Sequence, residues 1–251
     1  MDFDPGTRCV WVIGAGWNGA GHMFVMNVII MERMCGRFVL FTTGDELLSE
    51  VATLPGINHV EAPDGTPPSR YNIAPTNQVP LIRVAEQTAR IDAARWGLLP
   101  TWKKDDTGMP LFNARGETVA EKPSFRSAFK ARRGLMVLDG YYEWKQTESG
   151  KQPYYVRPAE GLLYAAALWE TGLDRLSTTM ITTDATDNMA WLHHRLPLFL
   201  RDDEIRQWVD GTPEEALELV HPSRVADTLQ WNEAAKEVGN VRNDYAELIS
   251  G

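Results

Sequence analysis

Cys35 follows Met34 directly, and this order allows chemistry that an internal cysteine lacks. If translation begins at Met34 and the methionine is removed, Cys35 carries a thiol and a free α-amine side by side. The ordinary pKa of an α-amine is about 7.7–8.0, so an appreciable fraction is neutral and nucleophilic near neutral pH. A lysine amine, with an ordinary pKa of about 10.4, needs strong desolvation to match it. An N-terminal Cys35 is therefore suited to capturing an aldehyde, whereas an internal Cys35 offers only its thiol.

Groups that could assist this chemistry occur in three short segments further along the chain. Asn113, Arg115 and Glu117 are spaced two residues apart, so in an extended chain they share one face. Glu143 stands among tyrosines and tryptophan, where partial burial would raise the pKa of its carboxyl group and suit it to proton transfer. His193 ends a stretch with helical character and brings an imidazole that titrates near neutral pH. These segments supply the candidates for catalysis.

Each of these residues also has an ordinary structural explanation. An asparagine or arginine in a strand most often satisfies backbone or surface groups. Glu143 could pair with Lys145, and a lone histidine such as His193 is more often structural than catalytic. No single residue decides between the two explanations.

The composition is that of an ordinary globular protein. The chain has 251 residues, of which 43% are apolar and 24% charged, and this suits one domain with a full hydrophobic core. The net charge of −9 argues against broad electrostatic binding of nucleic acid, although a local basic groove is compatible with that total. The two cysteines, Cys9 and Cys35, form neither a metal-binding nor a disulfide pattern. This usage favours a reducing cytoplasm.

Residues 1–34 form an extension before the proposed domain. They lack the basic start and the small-residue cleavage site of a signal peptide. The apolar stretch from Trp11 to Met31 is interrupted by asparagines, a histidine and four glycines, so a membrane span is not expected. We interpret residues 1–34 as a start assigned too far upstream or as a leader that is removed, and residues 35–251 as one domain.

The apolar pattern predicts short strands mixed with short helices, which indicates an α+β fold. Strands are expected at 35–41, 78–85, 88–96, 134–138, 141–144, 153–156, 162–169 and 176–183, with 78–85 and 88–96 forming a hairpin. Helices are expected from a capping box at Thr43 to about Leu54, near 117–131, 186–193 and 203–210, and near 213–220 with Thr212 as its cap. The proline-rich residues 55–70 are expected to form a loop. Hairpin-length turns favour antiparallel or mixed sheets.

Seven short motifs occur in one order along the chain. They are Cys35-Gly-Arg-Phe38, Arg70-Tyr-Asn-Ile-Ala-Pro75, Trp96-Gly-Leu-Leu-Pro100, Asn113-Ala-Arg-Gly-Glu-Thr118, Tyr142-Glu-Trp144, His193-His-Arg-Leu-Pro197 and Val238-Gly-Asn-Val241. This order resembles the SOS-response-associated peptidase (SRAP) family, whose members attach covalently to abasic sites in single-stranded DNA. Leu196, where methionine or arginine is common, and the extension before Met34 depart from the family pattern. The resemblance implies a single SRAP-like domain with mostly antiparallel sheets in a barrel-like core and flanking short helices.

The resemblance also implies roles for the candidate residues. Cys35 would form a Schiff base with the ring-opened abasic sugar and then close a thiazolidine ring, while Glu143 relays protons. Asn113 would hold the α-amine or a sugar oxygen, and His193 would contact the opened sugar or its 3′ phosphate. The expected partner is single-stranded DNA containing abasic sites. The protein is expected to be a cytoplasmic monomer (nucleoid-associated in a bacterium) without a metal or cofactor.

DNA contacts are predicted for cations and stacking groups around this centre. Residues 124–133 are the most basic stretch, with four cations and two phenylalanines. Trp96, Trp102 and Tyr142 could stack on bases, and Trp96 could equally belong to the core. The predicted DNA-binding residues are Arg37, Asn72, Pro75, Trp96, Arg115, Arg126, Lys130 and Arg195.

Two other functions compete with covalent DNA capture. A cysteine peptidase or amidase would use Cys35 as nucleophile and His193 as base, and it could cleave its own extension. A non-catalytic single-stranded DNA-binding protein would use only the basic and aromatic groups, and its salt-sensitive binding would not depend on Cys35.

Overall fold

Residues 36–251 are described by a computed structural model, and they form thirteen strands, five α-helices and three 3-10 helices. The strands are β1 (Phe38–Leu40), β2 (His59–Glu61), β3 (Arg70–Ile73), β4 (Gln78–Ala85), β5 (Thr88–Trp96), β6 (Asn113–Arg115), β7 (Arg133–Leu138), β8 (Gly140–Thr147), β9 (Gly150–Arg157), β10 (Leu163–Gly172), β11 (Arg175–Asp184), β12 (Arg195–Pro197) and β13 (Gln230–Glu233). The α-helices are α1 (Gly44–Ala52), α2 (Gly116–Val119), α3 (Arg126–Ala131), α4 (Asp202–Asp210) and α5 (Pro213–Glu218). The 3-10 helices cover Arg224–Thr228, Lys236–Gly239 and Ala246–Ile249. None of these helices is long and apolar enough to cross a membrane.

Strands β4, β5, β7, β10 and β11 close into a barrel. Neighbours in the order β11-β10-β7-β4-β5 pair antiparallel. A parallel pairing of β5 with β11, with Trp96 opposite Thr178, completes the ring. Closure removes the open edges that a flat sheet would present. The predicted α+β fold with a barrel-like core and flanking short helices is confirmed.

A second, antiparallel sheet in the order β13-β9-β8-β1-β3 carries the start of the described chain. β1 lies between β8 and β3, where Phe38 is opposite Tyr141 on one side and Ile73 on the other. Phe38 and Leu40 point into the main core, while Val39 belongs to a smaller apolar cluster, as alternation along a strand requires. The strand that follows Cys35 is thus held on both edges and both faces.

Several elements form where the sequence indicates. The β4–β5 hairpin has the predicted bounds. Helix α5 begins after Thr212, whose Oγ1 accepts a hydrogen bond from Glu215 N, and Pro213 is its first residue. Helix α1 also forms, but the side chain of its predicted cap, Thr43, makes no capping hydrogen bond. The Gly44 amide donates instead to Thr66 Oγ1 at 2.8 Å.

Three predictions of local structure were wrong. The helix expected at 117–131 is divided into α2 and α3. The helix expected at 186–193 is a series of turns, in which Thr186 Oγ1 donates to Asn188 Oδ1 at 2.6 Å. Side chains of this kind compete with helical backbone bonds. The loop expected at 55–70 contains β2, which pairs in parallel with β5. The strand expected at 35–41 is observed as β1, and its first residue lies outside the described part of the chain.

Candidate active site

Cys35 and residues 1–34 lie outside the described residues, so the site is built from the groups around the chain that follows Cys35. Tyr142 N donates to Arg37 O at 2.9 Å, and β1 and β8 are antiparallel. Moving back along the chain from Arg37 therefore means moving forward along β8, from Tyr142 towards Glu143. The polypeptide that leads to Cys35 is aligned with the strand that carries Glu143.

Glu143 is a buried acidic residue within the second sheet. Only 4% of it is exposed, and its Oε1 accepts a hydrogen bond from Trp144 N at 3.1 Å. Across the β8–β9 pair it stands opposite Tyr154. This burial among aromatic residues agrees with the expectation from the sequence. A carboxyl group in such surroundings is suited to holding and releasing a proton.

His193 lies in the turn-rich segment between β11 and β12. Its Nδ1 accepts a hydrogen bond from Arg195 N at 3.0 Å. The same Nδ1 lies 3.3 Å from Arg195 O, a longer contact that would require a proton on Nδ1. The shorter bond favours the tautomer with its proton on Nε2. His194 stacks on the His193 ring, with 4.3 Å between centroids, so the loop presents two imidazoles side by side.

Asn113 begins β6, a short strand that adds to the barrel through β11. Asn113 is opposite Met180, and Met180 N donates to Phe112 O at 3.0 Å. Two residues further, Arg115 is opposite Thr182 and is exposed. The pairing fixes Asn113 to the same strand, β11, whose C-terminal end leads into the His193 segment. β11 therefore positions two of the candidate residues.

Arg195 joins the segment of His193 to that of Asn113. Its guanidinium donates to both carboxylate oxygens of Glu117, at 2.6 and 2.9 Å, and to Asp184 Oδ1 at 2.6 Å. Burial alone would lower the pKa of Arg195, but the hydrogen bonds with Glu117 and Asp184 outweigh it and raise that pKa. Only 5% of Arg195 is exposed. Arg195 is therefore an internal link between two parts of the candidate site, and its contact with DNA stays a prediction.

Arg37 and Asn72 are likewise used inside the protein. The Arg37 guanidinium donates to Asn72 Oδ1 at 2.9 Å and to Val238 O at 2.7 Å. The Asn72 side-chain amide donates to Asn243 O at 2.7 Å and to Asn240 O at 3.0 Å. Burial lowers the pKa of Arg37. These bonds tie β1 and β3 to the C-terminal Val-Gly-Asn motif. Asn72 is fully buried, so its predicted DNA contact is corrected, whereas that of Arg37 stays a prediction.

Trp96 is a core residue rather than a stacking platform. It is fully buried, its Nε1 donates to Phe112 O at 2.9 Å, and its ring contacts those of Phe38 and Phe112. A ring with no exposed face cannot stack on a base, so the predicted DNA contact is corrected. Trp96 instead packs between β1, which follows Cys35, and the residue before Asn113.

The other predicted DNA contacts lie at or near the surface. Arg115, Arg126 and Lys130 are exposed, and Pro75 is half-buried. Trp102, a predicted stacking residue, has 61% of its area exposed. Tyr142, another predicted stacking residue, is fully buried and donates its hydroxyl to Tyr71 O. Within residues 36–251, no group of three histidine, cysteine or acidic side chains is placed to hold a metal ion.

Comparison of the sequence with known families decides the membership of this chain. Residues 34–241 match the family described as SOS response associated peptidase (SRAP). The chain belongs to the SRAP family. Abasic site processing protein YoqW of Bacillus subtilis is 31% identical over 226 residues, which cover 86% of this chain and 99% of YoqW. Abasic site processing protein YedK of Escherichia coli is 32% identical over 224 residues, covering 86% and 99%. Abasic site processing protein HMCES of Xenopus tropicalis is 33% identical over 221 residues, covering 72% and 65%.

Solved structures share the fold of this SRAP chain. A crystal structure of a protein from Bacteroides thetaiotaomicron has a TM-score of 0.70 at 18% identity and covers 86% of this chain and 99% of its own. A phage-related protein from Bordetella bronchiseptica has a TM-score of 0.60 at 23% identity and covers 80% and 95%. At these identities the likeness concerns the fold alone.

Sequence reasoning missed one contact that bears on the SRAP site. Trp191, two residues before His193, packs on Tyr154 with 5.1 Å between ring centroids. This joins the His193 segment to the sheet that carries Glu143. No local pattern signals the contact, because the partners are 37 positions apart in the sequence and Trp191 lies in a turn outside the sheet that holds Tyr154.

Proposed function

We propose that this SRAP protein captures abasic sites in single-stranded DNA through a covalent bond to Cys35. The main support for the proposal is a set of contacts that join segments distant in the sequence around the chain that follows Cys35. β1 is hydrogen-bonded to β8 beside Glu143, and the Arg195–Glu117 ion pair ties the segment of His193 to α2, which directly follows β6. The names of the relatives, abasic site processing proteins, support the substrate class.

The proposed reaction keeps the sugar carbon at the aldehyde oxidation level, so it needs no oxidant or reductant. The neutral α-amine of Cys35 adds to the aldehyde carbon of the ring-opened sugar, and loss of one water molecule leaves a Schiff base. The thiolate sulfur then adds to the imine carbon while the nitrogen takes a proton, and a five-membered thiazolidine ring closes. This closure is intramolecular, so proximity favours it strongly. An internal Cys35 has an amide nitrogen and cannot begin the sequence.

The remaining groups of the site serve proton transfer and positioning. Glu143 donates a proton to the departing water and accepts one from the thiol, for which its burial suits it. His193 has its Nδ1 occupied by Arg195 N, so it presents Nε2 to the sugar or its 3′ phosphate. Asn113 holds the α-amine or a sugar oxygen with its side-chain amide. These roles extend the expectations drawn from the sequence.

The active form in this proposal begins at Cys35, so residues 1–34 must be absent from it. Translation from Met34 followed by removal of the methionine produces that form, and self-cleavage by Cys35 and His193 is the second route. The intact mass of the protein from its natural source gives the N-terminus directly. Release of residues 1–34 from purified full-length protein, abolished by His193→Ala, would identify self-cleavage.

The proposal is tested by mixing protein that begins at Cys35 with a single-stranded oligonucleotide containing one abasic site. We expect a slower band on a denaturing gel that is absent with the undamaged oligonucleotide. Glu143→Gln should slow its formation about 100-fold, the low end of typical acid–base contributions. Cys35→Ser retains the amine and should give a product that survives only after borohydride reduction.

The full-length chain is the matched control for the free amine. Because its Cys35 nitrogen is an amide, it should form no covalent product unless residues 1–34 are released. An equally intense band from Cys35→Ala protein, without reduction, would contradict capture through the thiazolidine. Salt-sensitive binding without any covalent product would favour the non-catalytic alternative.

A further inference from the structure

The Trp191 ring packs against side chains from three strands of the second sheet. It meets the ring of Tyr154 on β9 edge to face, with 5.1 Å between centroids and an angle of 88°. On another side it meets Trp231 of β13, with 5.5 Å between centroids. The Nζ atom of Lys145 on β8 lies 4.6 Å from the centroid of the Trp191 ring, within cation–π distance. Trp191 itself belongs to the segment between β11 and β12.

Two of the residues that contact Trp191, Tyr154 and Lys145, are close neighbours of Glu143. Tyr154 is the direct cross-strand partner of Glu143, and such partners have Cβ atoms about 4.5–5.5 Å apart. Lys145 follows Glu143 by two positions on β8, so it lies on the same face of the sheet. The Trp191 ring therefore packs over the part of the sheet that carries Glu143.

The segment that carries Trp191 and His193 depends on side-chain anchors. Residues 186–193 form turns rather than a continuous helix, and the backbone bonds within them, such as His193 N to Met189 O, are local. Met189 and Leu192 are buried in the main core, which holds the segment to the barrel. Trp191 supplies the contact with the second sheet. Only Leu192 separates it from His193, so movement of Trp191 shifts the imidazole.

We propose that Trp191 is a positioning residue that fixes His193 relative to Glu143. Glu143 is rigidly placed by the second sheet, whereas His193 extends from the barrel strands. Trp191 bridges the two through Tyr154 and Lys145 and sets the spacing between the proposed acid–base groups. The expected changes in crosslinking rate rest on the proposed function. The expected changes in the magnetic resonance signals of His193 do not.

The matched substitutions are Trp191→Ala and Trp191→Phe. The Nε1 donor of Trp191 is buried and has no acceptor among the described residues, so phenylalanine loses no hydrogen bond and keeps a ring for the contacts. We expect Trp191→Ala to slow single-turnover crosslinking at least tenfold, since a misplacement of about 1 Å can cost 10²-fold. Trp191→Phe should recover most of that rate. Trp191→Leu, which keeps apolar bulk without a ring, replaces Trp191→Ala if that variant does not fold.

Two measurements separate positioning from other roles of Trp191. Affinity for undamaged single-stranded DNA should stay within about twofold of the parent protein, because Trp191 does not act on the strand itself. In a His193→Ala background, Trp191→Ala should cause little further loss of rate, since residues that act through one another are non-additive. A loss of affinity that matches the loss of rate would instead identify the ring cluster, with Trp231 at 42% exposure, as a base-stacking surface.

The imidazole of His193 gives a readout that needs no DNA. Nuclear magnetic resonance titration should show a changed His193 pKa or ring chemical shift in Trp191→Ala and values near the parent in Trp191→Phe. Leu217→Ala, at an exposed residue of α5, is the control and should change neither rate nor resonance. If the parent protein forms no crosslink, the proposed function fails and this titration still tests Trp191. Unchanged His193 resonances in Trp191→Ala would overturn the inference.

Discussion

At the scale of single residues, two buried arginines of this protein bind different kinds of acceptor. Arg37 is surrounded by neutral oxygen acceptors, whereas Arg195 is held by two carboxylates. A guanidinium has five N–H donors that suit phosphate, carboxylate and carbonyl oxygens alike. The sequence therefore indicates that an arginine near the site binds oxygen atoms, and only the fold decides which ones. Arg37 and Arg195, two of the four arginines predicted to contact DNA, bond to acceptors within the protein.

Replacing Arg195 by lysine should lower both the crosslinking rate and the stability. Lysine keeps the positive charge but cannot bridge both oxygens of Glu117 and also reach Asp184. Since 43% of the Glu117 side chain and 74% of the Asp184 side chain are exposed, water can replace the lost bonds. We expect the free energy of unfolding to fall by about 1–2 kcal/mol. The crosslinking rate should fall about tenfold or more because the β6 and His193 segments lose their alignment.

Urea denaturation and single-turnover crosslinking measure these two effects separately. Arg201→Lys is the matched control, because Arg201 pairs with Asp203 and Glu204 beside its own helix, α4. It should change neither quantity appreciably. An Arg195→Lys protein that crosslinks at the parent rate would contradict the linking role of Arg195.

At the scale of elements, the short strand β1 depends on anchors that lie outside it. Asp139 precedes β8, and its carboxylate accepts hydrogen bonds from Phe41 N at 2.6 Å, Thr42 N at 2.9 Å and Thr42 Oγ1 at 2.7 Å. Arg37 and its backbone acceptors hold the other end of the strand. A strand of three residues has few hydrogen bonds of its own, so these anchors fix the position of β1. They thereby fix the point from which the chain runs back towards Cys35.

Asp139→Asn should loosen the C-terminal end of β1. An asparagine has one acceptor oxygen, and its NH2 group would face backbone donors, so at least one buried amide loses its partner. We expect the free energy of unfolding to fall by about 2 kcal/mol and the amides of Phe41 and Thr42 to exchange hydrogen faster. Hydrogen–deuterium exchange with mass spectrometry measures the second effect. Asp45→Asn, at an exposed position in the first turn of α1, should leave that exchange unchanged.

The elements that could be predicted from the sequence are those with a local cause. The β4–β5 hairpin follows from two apolar runs separated by a short turn, and α5 follows from Thr212, Pro213 and Glu215. The segment 186–193 has a helical apolar pattern, but its side-chain bonds and its long-range anchors favour turns. The closing pair β5–β11 joins strands about 80 positions apart, which no local pattern encodes.

For the candidate site, the sequence supplies the candidate residues but not the contacts between their segments. Residue type and spacing pointed to Asn113, Glu143 and His193, and their segments are joined in the fold. The links themselves were not predictable, since each joins residues from different elements. Trp96 illustrates the limit: an aromatic residue in a motif has the same signature whether it stacks on a ligand or packs in the core.

At the scale of the whole molecule, an acidic chain must bind a polyanion through few cations. The net charge is −9, and the basic stretch 124–133 contributes less than its composition suggests. Arg132 pairs with Glu170 at 2.6 Å, and Arg133 is buried against backbone carbonyl groups. Arg126 and Lys130 are exposed, and their spacing of four places them on one face of α3. This pair is the candidate for phosphate contact at the surface.

Replacing both exposed cations of α3 by glutamine should lower the salt dependence of DNA binding as well as the affinity. Each phosphate contact on a single strand contributes about 0.7 to the slope of log K against log salt, so loss of two contacts should reduce the slope by about 1.4. Fluorescence anisotropy with an undamaged oligonucleotide over a range of salt concentrations measures it. The control is the double substitution Arg201→Gln and Arg206→Gln, on and beside α4. It removes the same amount of positive charge, but these arginines are already paired with carboxylates. An equal change of slope in both double variants would mean that net charge, and not the α3 pair, governs DNA binding. A change confined to Arg126 and Lys130 would place the strand along α3.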